Sequence, residues 1–489
     1  MASGVHFREL GRWKHASTRH PRAIGDNIGA HPVTYDDAVD MAVQEAPALV
    51  GQGNPSGTAE PPSPRPSFSA IQSARRVWSA VSVPFWICVS RIGLGLVFAH
   101  LVVVLLPQAH QHLGEGTLSG GTWLGAFDRW DSAYYVGIAQ HGYSLTHPSQ
   151  TAFFPGYPML ITVVHALTFG TLGYVASAMV VSWAAFIGAS VLLYRLGERL
   201  FSQRVALIAT VLFCWFPASL FFISPYSEAL FAFEIILFLT YLERHRYLAA
   251  AAVAACASAT SPESVALTVT LLVAMALARQ GVVRIVAYVA LSGLGVGAYA
   301  LFLWARFGHP FDFISVQQFW KRVETFPFVG LYRNVNALQH FFVGPGQPPG
   351  ALLPTYANIK WVWILDDTAL VVAAAATLAL IAMAVTRRRT RAEGTLLVAS
   401  ETAAIPLPLV MVAAGIVLLA ACTTISPYGL PVYASSEAEA RFVSIAMPLY
   451  LAVALLIRRR TALICLAVGG CVMFALVFQA LYNLGYWVT

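Results

Sequence analysis

The stretch "FWICVSRIGLGLVFAHLVVVLL", Phe85 to Leu106, decides the class of fold. It is apolar and long enough to cross a hydrocarbon core of about 30 Å, which takes roughly 20 helical residues. Runs of this kind recur almost to the C-terminus. The expected spans are Leu172–Tyr194, Val205–Ile223, Ser227–Leu242, Tyr247–Thr260, Pro262–Leu277, Ile285–Trp304, Trp361–Val385, Ala403–Ile425, Phe442–Ile457 and Thr461–Tyr482. With the first they make roughly eleven crossings. Composition agrees: of 489 residues, 58% are hydrophobic and 11% charged, and the mean hydropathy is +0.66. A soluble domain carries about a quarter charged residues, so a soluble fold is excluded. The expectation is an all-α, polytopic integral membrane protein.

Charge then orients it. The formal charge is +7, but basic residues concentrate in cytoplasmic loops of membrane proteins, so the excess is read as topology and not as affinity for nucleic acid. Arg195, Arg199, Arg204, Arg244, Arg246, Arg279, Arg284, "RRRTR" at 387–391 and "RRR" at 458–460 fall on one side. The short loops "SPYS" and "SPYGLPVYASSEAEA" on the other side hold no Lys or Arg. Residues 1–79, rich in Pro, Gly, Ser and charge, read as a disordered cytoplasmic tail. The tail has no apolar core of a signal peptide, which leaves the first span as the targeting signal. Residues 80–489 form the membrane domain, with long extracytoplasmic loops at 107–171 and 305–360. All six cysteines lie in apolar segments and read as small core hydrophobes.

The first long loop carries "FDRWDSAYYVGIAQHGY", Phe127 to Tyr143. On a helix beginning near Asp128, residues Asp131, Tyr134, Tyr135 and Ile138 share a face. One carboxylate beside a wall of aromatics suits either an interfacial anchor, with Asp131 as a cap or as the partner of Arg129, or a polar substrate. "AFFPGYPMLITVVHALTFG" follows, broken by Pro155 and Pro158 and short for a crossing. It reads as a helix at or re-entering the outer surface, with Phe153 and Phe154 as interface anchors.

"RWDSAYYVGIAQHGY", then "AFFPGYPML", then "SPYSEALFAF" at 224–233 resemble, in order and spacing, the signature of the PIG-V family. This is the GPI mannosyltransferase II group of GT-C glycosyltransferases. The resemblance covers about Trp123 to Leu277 well and the rest in outline. It implies a GT-C-like fold with the site extracytoplasmic; Arg75 and Arg76 ahead of the first span place the N-terminus in the cytoplasm, and the expected location is the plasma membrane. It also implies a polyprenyl-phosphate-mannose donor, a glycolipid or glycan acceptor, and Asp131 as the acid acting on the acceptor hydroxyl. Asp128 is a second candidate acid.

A polyprenyl phosphate leaves readily as an anion, so one general base suffices where a glycosidase needs two carboxylates. No cofactor is required by this scheme; a divalent cation on the donor phosphate is left open. Candidate substrate-binding residues in the motif region are Arg129, Trp130, Tyr134, Tyr135, His141, Tyr143 and Phe154. Further along are Tyr226 and Glu228, where a helix N-terminus also welcomes a carboxylate, and Glu263, which either contacts sugar or begins a helix after Pro262.

Arg441 is the candidate for the lipid phosphate, the alternative being a salt bridge to Glu437 or Glu439. "SPES" at 261–264 departs from the family's Arg-Ser-Asn-Gly type sequence and puts the acceptor in doubt. Arg far outnumbers Lys and Ala, Val and Leu dominate, as in GC-rich genomes. That usage points to an actinobacterial-type member acting on an envelope lipid or a secreted protein. The competing class is a secondary transporter or flippase for lipid-linked sugars, whose sites lie near the midplane between broken helices.

Overall fold

The computed structural model describes residues 68–106, 123–319, 322–343, 360–392, 405–425, 435–436 and 438–485. The tail up to residue 67, the loop 107–122 and Glu437 lie outside them. The helices in chain order are α1 (Phe68–Leu105), α2 (Asp131–His141), α3 (Gly156–Leu167), α4 (Tyr174–Leu200), α5 (Gln203–Cys214), α6 (Leu220–Ile223), α7 (Glu228–Glu243), α8 (Tyr247–Thr260) and α9 (Val265–Leu277). They continue with α10 (Val282–Ser292), α11 (Leu294–Phe307), α12 (Asp312–Ser315), α13 (Val329–Val343), α14 (Lys360–Ala392), α15 (Leu407–Cys422), α16 (Glu439–Ser444), α17 (Met447–Ile457) and α18 (Thr461–Asn483). Among the described residues the chain is all-α apart from a small antiparallel sheet in the order β1 (Arg322–Glu324), β2 (Thr423–Ile425), β3 (Ser435–Ser436). α1 begins at Phe68, inside the segment expected to be an irregular tail.

Among the described residues, four helical stretches are long and apolar enough to cross a membrane: Val81–Leu105, Tyr174–Leu200, Asp367–Thr386 and Thr461–Asn483. Two expected single spans are instead bent pairs. α5 and the segment Pro217–Ile223 meet at 68°, and α10 and α11 at 52°. The causes are local. Pro217 cannot donate into a continuing helix and disfavours helical backbone at Phe216, and Gly293 interrupts the second pair. The expected span Phe442–Ile457 is likewise split, into α16 and α17, with Pro448 at the start of the latter.

Without water to drive helix association, membrane helices gain from close approach at small residues. α8 shows this: Ala250, Ala251, Ala254 and Ala257 are fully buried. A Cβ on Gly295 of α11 would stand 2.3 Å from the Ala255 carbonyl oxygen and 2.5 Å from the Ala259 nitrogen. The core runs along α4, which packs on α1, α3, α5 and α7. α18 returns against α1 and the turn Pro217–Ser219. That return brings the last helix end to the start of α2. Of the cysteines, Cys88 and Cys214 are buried, but Cys256 and Cys465 face outward and are not core residues.

Candidate active site

Three segments remote in sequence meet at one buried ion cluster, and the end of α18 clamps the loop that feeds it. Asp131 opens α2, Glu228 opens α7, and Arg441 lies on the short α16. Arg441 donates from Nη1 to Asp131 Oδ2 at 2.6 Å and from Nε to Glu228 Oε1. Its guanidinium stands 4.8 Å from the Tyr226 ring centroid and 5.3 Å from that of Phe221. Ring quadrupoles favour a cation there. All three charged residues are buried, and pairing offsets a desolvation cost that none could bear alone.

The cluster still carries a formal charge of −1. Among the described residues no hydrogen bond reaches Asp131 Oδ1 or Arg441 Nη2, and the Asp131 side chain keeps 13% exposure. Among the described residues Glu228 Oε2 is buried without a hydrogen-bond partner.

The backbone ahead of Asp131 is held tightly. Trp130 precedes the helix at φ 57°, a left-handed conformation that costs a bulky residue about 1–3 kcal/mol and persists only where its surroundings impose it. Here the Arg129 carbonyl accepts from the Tyr226 hydroxyl at 2.9 Å and the Tyr482 hydroxyl at 3.2 Å. Arg129 Nη2 donates to the Asn483 carbonyl at 2.8 Å, and Asn483 Nδ2 donates to the Ala126 carbonyl at 2.9 Å. A cation at a helix C-terminus meets the partial negative charge of its last carbonyls. Asp128 is buried and accepts from Ser132 Oγ at 2.8 Å. Burial raises its pKa above the ordinary value of 3.8, against the opposing pull of Ser132 and Arg129.

The aromatic wall is present. Tyr134 stacks on Phe153 at 4.7 Å, while Tyr135 meets Phe153 and Tyr157 edge-on and pairs its hydroxyl with Ser227 Oγ at 2.8 Å. A second aromatic group holds the following loop to α11 and α12. Tyr143 donates to the Phe153 carbonyl at 2.6 Å, and Phe154 packs between Tyr299 and Phe313. Gly142, at φ 72°, makes the turn between α2 and Tyr143.

Several expectations are corrected. Asp131 is neither a cap nor the partner of Arg129, because Arg129 is drawn to the end of α18. Arg441 takes its carboxylates from Asp131 and Glu228 and not from its neighbour Glu439, while Glu437 lies outside the described residues. Phe153 and Phe154 are buried at 7% and 3% exposure, not interface anchors.

His141 is exposed at the far end of α2, and at about 1.5 Å per residue that is a whole helix length from Asp131. Glu263 accepts from Ser261 in the turn Pro262–Ser264 that leads into α9, apart from the ion cluster. Glu234, whose partner could not be named from sequence, accepts from Thr260 Oγ1 at 3.1 Å. Missed from sequence were Tyr482, Asn483, Phe221 and Ser132. The only signal for the first two was a polar pair at the outer end of the final apolar run. Among the described residues, no three His, Cys, Asp or Glu side chains group as metal ligands.

Fold and site together define a polytopic helical membrane protein whose WD motif feeds a buried acid–arginine cluster. Residues 118–286 match the family model described as Mannosyltransferase (PIG-V). The chain is similar to GPI alpha-1,6-mannosyltransferase 2 of Mus musculus, 39% identical over 131 residues, covering 25% of this chain and 26% of the relative. The Homo sapiens protein of the same name is 36% identical over 131 residues, with the same coverage. GPI mannosyltransferase 2 of Drosophila melanogaster is 29% identical over 120 residues, covering 23% and 26%. The chain thus matches about a quarter of the length of these curated relatives. No solved structure matches it. The matched segment contains Asp131 and Glu228; Arg441 lies beyond it.

Proposed function

We propose that the chain is a membrane mannosyltransferase that moves mannose from a polyprenyl-phosphate donor to a glycolipid or glycan at the extracytoplasmic face of the plasma membrane. The observation that carries this reading is the state of Asp131. It is the acid of the family's WD motif, one oxygen is anchored on Arg441, and the other has no partner among the described residues. A base needs a fixed position and an accessible lone pair, and this carboxylate has both. The one-sided distribution of basic loops supports an outward-facing site with the N-terminus in the cytoplasm.

In the reaction, the acceptor hydroxyl gives its proton to Asp131 Oδ1 as its oxygen bonds to the anomeric carbon. The bond from that carbon to the phosphate oxygen breaks on the opposite side, with inversion. The electron pair leaves with the polyprenyl phosphate. Arg441 Nη2, adjacent to the base, offers a donor for a phosphate oxygen. GPI as acceptor is what the relatives' names say of the relatives; here the acceptor class is a glycolipid or glycan.

The test is transfer of radiolabelled mannose from polyprenyl-phosphate mannose to a membrane-envelope extract by the purified protein. Labelled product from the wild type supports the reading, and mass analysis of that product names the acceptor. No product with this or other lipid-linked sugars would overturn it.

A further inference from the structure

The electrostatics of the cluster leave one need unmet. Two carboxylates against one guanidinium make it net negative, yet in the proposed reaction an anionic phosphodiester binds beside it and leaves with one more negative charge. A further cation has to face that phosphate. Arg441 is already shared between two acids, and Arg129 is engaged with the last carbonyl of α18.

Arg322 meets the requirement. It lies on β1 in the second long loop, paired in register with Ile425 of β2. Backbone bonds from Thr325 to the Cys422 carbonyl and from Phe328 to the Ala421 carbonyl fasten this strand to the end of α15. Its guanidinium carbon lies over the ring of Phe442, the residue next to Arg441, 5.7 Å from the centroid. Its polar contact among the described residues is neutral, Nη1 donating to Gln317 Oε1 at 3.1 Å. Among the described residues no carboxylate lies within ion-pair distance of it. Arg322 is half-buried, which strengthens its field without sealing it off. A planar guanidinium carries its N–H donors in a fork that matches phosphate oxygens.

We propose that Arg322 binds the phosphate of a lipid-linked sugar donor and offsets the charge that develops on it as the sugar departs. This rests on the donor reading above. The shared chemistry is a lipid phosphate, and the alternative source is a bulk phospholipid headgroup.

The experiment uses the full chain in neutral phosphatidylcholine nanodiscs, with polyprenyl phosphate and the uncharged polyprenol as paired probes. Wild type, Arg322→Gln and Arg322→Lys are compared, with and without chelator and with phosphatidylglycerol as competitor. A charge-assisted contact should favour the phosphate by about tenfold or more in the wild type. Arg322→Gln should lose most of that preference while binding polyprenol as before, which also certifies its fold, and Arg322→Lys should retain part of it.

Retention of the full preference by Arg322→Gln would overturn the assignment and leave the donor reading standing. Absence of any phosphate preference in the wild type would overturn both. A preference abolished by chelator in all three proteins would hand the role to a metal ion. Displacement by phosphatidylglycerol at equal concentration would reassign Arg322 to headgroups.

Discussion

Arg441 reaches across 310 residues of sequence to place Nη1 2.6 Å from Asp131 Oδ2. This one contact joins the first long loop to the last third of the chain, and the charge of Arg441 is completed by Glu228 at the head of α7. The candidate base is therefore positioned by a residue that its own motif does not contain.

Replacing Asp131 with Asn keeps the shape and an acceptor for Arg441 but removes the proton acceptor. Loss of a general base costs about 10²–10⁴ in rate. Mannose transfer should fall by that factor while the detergent-purified variant elutes and melts like the wild type. Transfer at the wild-type rate would sink the assignment of Asp131 as base.

Arg441→Met should be far more damaging to the fold. It strands two buried carboxylates, and breaking a buried ion pair from one side costs about 3–5 kcal/mol. Combining it with Glu228→Gln removes one stranded charge and should recover part of the lost thermal stability. A double variant no more stable than Arg441→Met alone would show that Glu228 does not depend on Arg441.

Gly295→Ala tests the close approach of α11 to α8. The new methyl would meet main-chain atoms that cannot rotate away, so the helices must separate, at a cost of about 1–3 kcal/mol. Thermal unfolding followed by circular dichroism should show a lowered midpoint, whereas Gly297→Ala, with nothing within 4 Å, should not.

Asp128 supplies a pH signature. Its folded pKa lies above the unfolded value of 3.8, so at intermediate pH the folded state binds more protons than the unfolded state. Stability contributed here is full below the unfolded value, falls as pH rises toward the folded value, and is level above it. Asp128→Asn removes that loss and still offers Ser132 an acceptor. The melting temperature of the variant minus that of the wild type should grow as pH rises from about 4 and then level off. A difference constant with pH would contradict the burial argument.

The membrane class of this chain was legible in sequence because crossing a bilayer imposes a local rule. A run must be predominantly apolar, and a window of neighbours suffices to see it in Phe85–Leu106 despite Arg91 and His100. The WD motif and its aromatic face were legible for a similar reason, since helical spacing is local. Breaks at Pro217 and Gly293 were harder, because one residue decides whether an apolar run is one helix or two.

The partners of Asp131 and Arg129 were not legible at all. Nearest neighbours in sequence offered Arg129 as one possible partner of Asp131, and Glu437 or Glu439 as the alternative to a lipid phosphate for Arg441. The return of α18 instead brought Asn483 to Arg129, and α16 brought Arg441 to Asp131 and Glu228. A buried charge takes whichever opposite charge the packed helices deliver within a few ångströms. Sequence determined that a carboxylate stands at the head of α2; only the tertiary structure decided which cation holds it.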